Sequence, residues 1–196
     1  MKKKTSKIVD IILTVAIILC ACVTGVLLYR NVCYDEILVS GTSMETTLHN
    51  GDFGLMKTTN SAINNIKRFD IVIIKVDSET SNEHDIIKRV IGMPGEKIKI
   101  EANGDIKING EIIEETFLTV DKSTTFRVNG YACLNEYKIP DDSYFCLGDN
   151  RGVSSDSRNR GALSKKDIEG VLKVIYKENC SEKDSSACRS IKPKWF

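Results

Sequence analysis

The stretch from Ile11 to Tyr29 carries no charge over nineteen residues, and nothing else in the chain constrains its architecture as strongly. As an α-helix it extends about 28 Å at 1.5 Å per residue, close to the thickness of a bilayer's hydrocarbon core. Lys2, Lys3, Lys4 and Lys7 precede it and only Arg30 closely follows. This bias places the N-terminus in the cytoplasm and everything after Arg30 on the far side of the membrane. Asp10 falls at the cytoplasmic edge, where its charge stays hydrated. The competing reading is a cleaved signal peptide, and Leu19-Cys20-Ala21-Cys22 superficially resembles a lipoprotein processing site. The apolar region of such peptides is about 7–15 residues long. Here it continues through Val23, Leu27 and Leu28, which processing does not require. The expectation is a permanent single-pass anchor over residues 8–30, after a cytoplasmic segment 1–7.

Beyond the anchor the hydrophobic period is two, and β-branched residues are many, so the remainder is expected to be mostly β. Ile71 to Val76 is nearly continuously apolar, as a central strand is. Ile98 and Ile100 alternate with lysines, and Ile106 and Ile108 do the same. Asn103-Gly104, Asn109-Gly110 and Asn129-Gly130 are hairpin signals, because asparagine and glycine tolerate positive φ. The resulting organisation is an antiparallel β-domain over 31–102 and 140–177. A small β-lobe, 103–139, is inserted into it, and a loose polar tail over 178–196 follows, from which Trp195-Phe196 could dock. The last strand is expected over Val171–Tyr176, Ser164–Glu169 makes at most a short helical turn, and Ser78–Asp85 is a polar loop.

The charges balance at 28 basic against 27 acidic residues, so nothing global argues for a nucleic-acid partner. Of the seven cysteines, Cys20 and Cys22 lie in the apolar segment. Cys33, Cys133, Cys146, Cys180 and Cys188 remain, an odd number with no metal-ligand spacing. Cys146 has the surroundings of a small core hydrophobe. Cys180 and Cys188 either bridge across the tail or stay as thiols. No metal or cofactor is implied.

The chemistry concentrates in three places: Ser43 within Ser40-Gly41-Thr42-Ser43-Met44, Lys88 within Ile86-Ile87-Lys88-Arg89-Val90-Ile91, and the polar run from Gly148 to Gly161. A serine hydroxyl needs a neighbouring base to become a nucleophile. Two histidines are available, but His49 lies in an expected turn with Asn50-Gly51-Asp52 and His84 in the polar loop. A lysine serves only when neutral, and apolar surroundings disfavour its charged form. Lys88, flanked by isoleucines and valine, has such surroundings, although most lysines here sit on solvent-facing strand positions. Asp149, Arg151, Asp156 and Arg158 have the composition of a salt-bridge lattice that fixes the strand bearing the base.

These segments resemble, in order, the motif series of the bacterial type I signal peptidases, membrane-bound Ser–Lys proteases. The match runs through the anchor, Ser43-Met44…Thr47-Leu48, Gly51-Asp52, Lys67-Arg68-Phe69-Asp70-Ile71-Val72, Lys88 to Gly95, Gly148-Asp149-Asn150-Arg151, Ser154 and Asp156-Ser157-Arg158…Gly161. The single anchor and compact middle lobe are similar to the smaller Gram-positive enzymes. The resemblance implies that Ser43 attacks the scissile carbonyl and that Lys88 takes its proton and later gives it to the leaving amine. Ser154 would orient the lysine, and Asp149, Arg151, Asp156 and Arg158 would tie the lysine strand to the last motif. The Ser43 N–H would donate to the oxyanion. Val39, Met44, Leu48, Ile86 and Ile87 would line shallow pockets for small substrate residues, with an exposed apolar rim near Met44 against the bilayer. Signal-peptide-bearing precursors and the lipid bilayer are the implied partners. The catalytic domain would be extracytoplasmic.

Four departures from the family pattern stand out. Thr46 replaces a proline, which loosens the turn presenting the serine. Phe69 replaces a glycine before Asp70. Gly41 stands where some members carry a second oxyanion donor, which Thr42 or Ser40 could replace. Gly152-Val153 is less polar than usual. The alternatives are a Ser–Lys peptidase dedicated to a narrow client such as a pilin, and a membrane-anchored relative that binds exported chains without cutting them.

Overall fold

The computed structural model describes residues 2–76, 85–118, 134–178 and 191–196. His84, most of the polar loop before it, the Asn129-Gly130 turn, Cys133, Cys180 and Cys188 lie outside the described residues.

The chain divides into two units, Met1–Asp35 and Glu36–Phe196. The first is helix α1, Lys2–Cys33. Its apolar side chains from Ile8 to Val32 are exposed all round, and from Lys7 to Cys33 it is long and apolar enough to cross a membrane.

The larger sheet contains β1 (Tyr34–Leu38), β2 (Phe53–Lys57), β3 (Ile71–Ile74), β4 (Ile86–Gly92), β9 (Ser143–Leu147), β10 (Leu163–Ser164), β11 (Ile168–Glu178) and β12 (Ile191–Trp195). Their order is β1-β2-β11-β3-β4-β9-β10, with β12 paired to β11. The apolar run at Ile71 is the centre of this sheet, and all four residues of β3 are buried. β4 runs antiparallel to it, with Val72 opposite Lys88 and Ile71 opposite Arg89.

The smaller sheet has the order β7-β6-β5-β8, from β5 (Lys97–Ile100), β6 (Ile106–Ile108), β7 (Glu111–Ile112) and β8 (Leu134–Lys138). Asn109 and Gly110 both take positive φ, 51° and 91°, as a two-residue hairpin turn between β6 and β7 requires. The sheet begins at Lys97 and not at 103. The reason is packing: Ile98 and Ile100 of β5 share one buried cluster with Ile106 and Ile108 of β6. Ile91, Ile139, Phe145 and Leu147 belong to the same cluster, so the two sheets have a common core.

Residues 191–195 form strand β12, with Trp195 opposite Val174 and Ile191 opposite Glu178, where the sequence suggests a loose tail. Phe196 continues inward, and its ring packs against the cluster of Met44, Leu48, Ile71 and Ile175. β11 is longer than its expected core of Val171–Tyr176, and a single 3-10 turn at Lys165–Asp167 precedes it. Two short helices escape the periodicity because each is barely one turn. Thr59 caps α2 (Asn60–Asn64), and Asp156 caps α3 (Ser157–Arg160). Cys146 is a buried free thiol within β9, and burial pushes its pKa up, so it is a packing residue.

Candidate active site

Ser43 sits on an excursion between β1 and β2 whose two ends meet. The Val39 N–H donates to Asp52 O at 2.8 Å, and the Gly51 N–H donates to Val39 O at 2.8 Å. Gly51 takes φ 90°, which few other residues adopt without strain. Between these ends, the N–H groups of Thr47 and Leu48 both donate to Met44 O, making one helical turn. Positions i and i+4 of such a turn share a face. Met44 and Leu48 therefore both point into the core, at 2% and 0% exposure, and anchor the turn in the cluster that includes Val39, Ile71 and Leu172. Burying one such side chain contributes about 1.5–3 kcal/mol. Asn150 holds the turn from the other side: its N–H donates to Ser43 O at 3.0 Å and its Nδ2 to Thr42 O at 3.1 Å.

Thr46 takes φ 81°, the left-handed region that β-branched residues resist and that proline, locked near −65°, cannot enter. The turn around the serine is therefore a different one from the turn a proline at 46 would make. Phe69 also has positive φ, 74°, so the backbone keeps a conformation suited to glycine despite the side chain. It directs the Phe69 carbonyl to Arg89, whose Nη1 donates to it at 2.9 Å.

Lys88 arrives from β4. Its Nζ lies 2.8 Å from Ser43 Oγ and 3.0 Å from Ile87 O, and the residue is only 3% exposed. The two groups meet at a cavity of about 330 Å3, walled by Val39, Met44, Ile86 and Ile87. Asp85, Ser155 and Arg160 are its charged and polar margin. A second cavity of about 380 Å3 adjoins it, sharing Ser40, Asp85 and Ile87 and floored by Met56 and Ile73. Leu48 is not part of either lining, because it is wholly buried beneath the turn. The near-complete burial of Met44 likewise leaves no exposed apolar rim at that residue. His49 lies away from the cavity: its N–H donates to Asp52 Oδ2 at 2.8 Å and its ring stays half exposed, 3.8 Å from the same carboxylate.

Among the described residues, buried ion pairs join Arg89 with Asp149, Arg158 with Asp156 and Arg151 with Glu115. Arg89, the residue after the lysine, makes a two-pronged contact with Asp149: Nε to Oδ1 at 2.9 Å and Nη2 to Oδ2 at 2.6 Å. Its Nη2 also reaches Thr47 Oγ1 on the serine turn, at 3.3 Å. The contact runs from the residue after the lysine in β4 to Asp149 of the last motif. Arg158 instead pairs locally with Asp156, whose Oδ2 accepts the Gly148 N–H at 3.0 Å. Arg151 turns the other way, to Glu115 of the segment following β7, while its Nε donates to Gly148 O at 3.0 Å. Glu115 and Arg89 carry no role in the sequence reading. Arg89 had a signal, its place beside the lysine in the motif, but Glu115 had none.

The contact expected between Ser154 and the lysine amine is not made in this structure. Ser154 Oγ is buried and has no hydrogen-bond partner among the described residues. It packs against Gly148, where an added Cβ would lie 2.2 Å from Ser154 Oγ and 2.4 Å from Ser43 O. Neither distance is tolerable, and the Ser43 carbonyl cannot retreat without carrying the Ser43 side chain with it. Gly148→Ala is expected to reduce kcat by about a hundredfold or more while the protein still folds. Steady-state cleavage beside a thermal melt checks this.

A serine hydroxyl against a buried amine, at the end of an apolar-walled cavity on a β-scaffold, is the constellation of a serine hydrolase that works without histidine. Comparison with known proteins narrows the class. The family profile described as "Signal peptidase, peptidase S26" matches residues 8–177. A signal peptidase I of Bacillus amyloliquefaciens is 36% identical over 179 residues, covering 89% of this chain and 92% of that protein. Signal peptidase I S of Bacillus subtilis (strain 168) is 35% identical over 155 residues, covering 76% and 80%. A crystal structure of a signal peptidase I from Enterococcus faecalis V583 is 31% identical, covers 55% of this chain and 97% of that one, and has a TM-score of 0.44. The chain belongs to the signal peptidase family, peptidase S26.

Proposed function

We infer that this chain is a membrane-associated serine endopeptidase that removes N-terminal signal peptides from precursor proteins, with Ser43 as nucleophile and Lys88 as general base. The observation that carries the assignment of roles is the 2.8 Å approach of Lys88 Nζ to Ser43 Oγ. In the working state the amine is neutral and accepts the hydroxyl hydrogen. Removal from water disfavours the ammonium, and Lys88 is removed from water. Ser43 Oγ attacks the scissile carbonyl carbon as its proton passes to Nζ. The resulting ammonium gives that proton to the departing amine as the peptide bond breaks. Water then attacks the acyl-enzyme, with Nζ again taking a proton, and Ser43 is restored.

The Ser43 N–H takes no part in the turn's hydrogen bonds among the described residues, which leaves it for the developing oxyanion. Loss of such a donor typically costs 10²–10³-fold in rate. Asp149, Arg151, Asp156 and Arg158 hold the dyad's surroundings, and Ser154 packs beside it. The substrate backbone extends along β4 at Ile86 and Ile87, which lie beyond the last β9 pair and line the cavity. The shallow walls favour small side chains at the cut. Helix α1 anchors the enzyme with its N-terminus cytoplasmic and the catalytic domain, from residue 31, on the extracytoplasmic side. A precursor held by its own apolar segment shares that surface, which raises its effective concentration.

The test is cleavage by the purified chain, in detergent or lipid, of a precursor bearing an Ala-x-Ala site, with the product's new N-terminus determined by mass spectrometry. Cleavage after the second alanine by the wild type and none by Ser43→Ala is the expected result. Equal cleavage by Ser43→Ala, or none by either, would overturn the assignment.

A further inference from the structure

One short segment reaches both arginines that hold the dyad. Residues 113–118 leave the small sheet after β7, with the Ile113 N–H donating to Ile106 O at 2.9 Å and the Leu118 N–H to Glu115 O at 3.2 Å. Ile113 and Phe117 pack on the cluster of Ile98, Ile100 and Ile106, so the segment is seated on the lobe's own core. From that seat two side chains extend towards the catalytic face. The Glu115 carboxylate, fully buried, takes both Nη1 and Nη2 of Arg151. The Phe117 ring lies under the Arg89 guanidinium, 4.1 Å from centroid to Cζ, and 5.3 Å from the Phe69 ring.

One contact leads towards Ser43 and the other towards Lys88. Arg151 Nε donates to the carbonyl of Gly148, the residue that touches the Ser43 carbonyl and Ser154. Arg89 adjoins Lys88 in β4 and grips both Asp149 and Thr47. A buried guanidinium deprived of its carboxylate carries an uncompensated charge and moves to find another partner. One deprived of its aromatic face loses a cation–π contact that is strongest where water is excluded. Neither Glu115 nor Phe117 lines the cavity.

We propose that Glu115 and Phe117 are positioning residues through which the small lobe sets the approach of Ser43 to Lys88. The lobe is thereby a working part of the catalytic apparatus. This rests on the dyad reading above.

The test uses the full chain in lipid and compares Glu115→Gln, Phe117→Leu and Ile168→Val with the wild type and Ser43→Ala. Ile168→Val leaves a small void in the buried cluster of Ile66, Val72, Ile74 and Val171, which includes neither arginine and neither positioning residue, and controls for general loosening. With the folded fraction measured by thermal melting, Glu115→Gln and Phe117→Leu are each expected to lower kcat per folded molecule at least about tenfold, with KM within about twofold of wild type. Ile168→Val is expected to melt earlier with kcat unchanged. Three results overturn the proposal: an unchanged kcat in the two variants, a rise in KM at constant kcat, or an equal loss in Ile168→Val. Should Glu115→Gln fail to fold, Phe117→Leu decides by the same criteria. Cleavage by Ser43→Ala sinks the dyad reading and this inference together. Cleavage by wild type alone, with full kcat in both variants, sinks only this one.

Discussion

Replacing Lys88 with methionine is expected to lower kcat by at least about 10³-fold, and replacing it with arginine by as much. Methionine keeps the unbranched stem and removes the amine. Arginine keeps a cation within reach of Ser43, but its guanidinium does not give up a proton near neutral pH and so cannot serve as a base. The two substitutions separate proton transfer from the mere presence of positive charge. Lys88→Met should fold at least as well as wild type, since an apolar side chain enters a site that is only 3% exposed. A melting curve beside the kinetics therefore distinguishes lost chemistry from lost structure. Near-normal cleavage by Lys88→Arg would place the base elsewhere and make His84 the next residue to replace.

The second large effect is on stability. Asp149→Ala strips the carboxylate from Arg89, a pair with side-chain exposures of 6% and 0%. Breaking a buried pair from one side costs about 3–5 kcal/mol, because the remaining charge stays desolvated. Domains of this size lose about 2–4 °C of Tm per kcal/mol, so Asp149→Ala is expected to melt roughly 10 °C below wild type. Arg89 keeps the Phe69 carbonyl and the Phe117 ring, which limits the loss. The double replacement Arg89→Met with Asp149→Leu should recover much of the Tm, since apolar pairs often substitute for buried ion pairs without penalty. It should not recover activity, because the grip on Thr47 leaves with the guanidinium. An Asp149→Ala protein melting within about 2 °C of wild type would show that the pair contributes little to holding the motif.

Much of this was legible from local pattern. The uncharged run became α1, the continuous apolar run became the central strand, and Asn109-Gly110 made its hairpin, because each is governed by neighbours in sequence. The Ser43–Lys88 contact spans 45 positions and came from motif resemblance, since no periodicity encodes it. What escaped has the same physical origin. Arg89 meets Asp149 across 60 positions and Arg151 meets Glu115 across 36, so such partners can be assigned only once the sheets are stacked. Within the last motif, Asp156 and Arg158 are close enough in sequence for their pairing to be local. Strand β5 joins the smaller sheet without a local signal, because it alternates like any other strand, while the turn at Asn103-Gly104 is conspicuous. The positive φ at Thr46 had no signal, since threonine ordinarily avoids that region.

Strand β12 escaped for a different reason: Lys192, Pro193 and Lys194 interrupt its alternation and look like solvated coil. Those same residues suit its location. β3 pairs with β11 only as far as Val171, and β12 takes over from Val174 to Glu178. Any bare strand margin is a template that can capture an extended chain. A proline without an N–H, between two lysines, makes a poor template, so the margin of β11 is closed by a strand ill suited to recruit another.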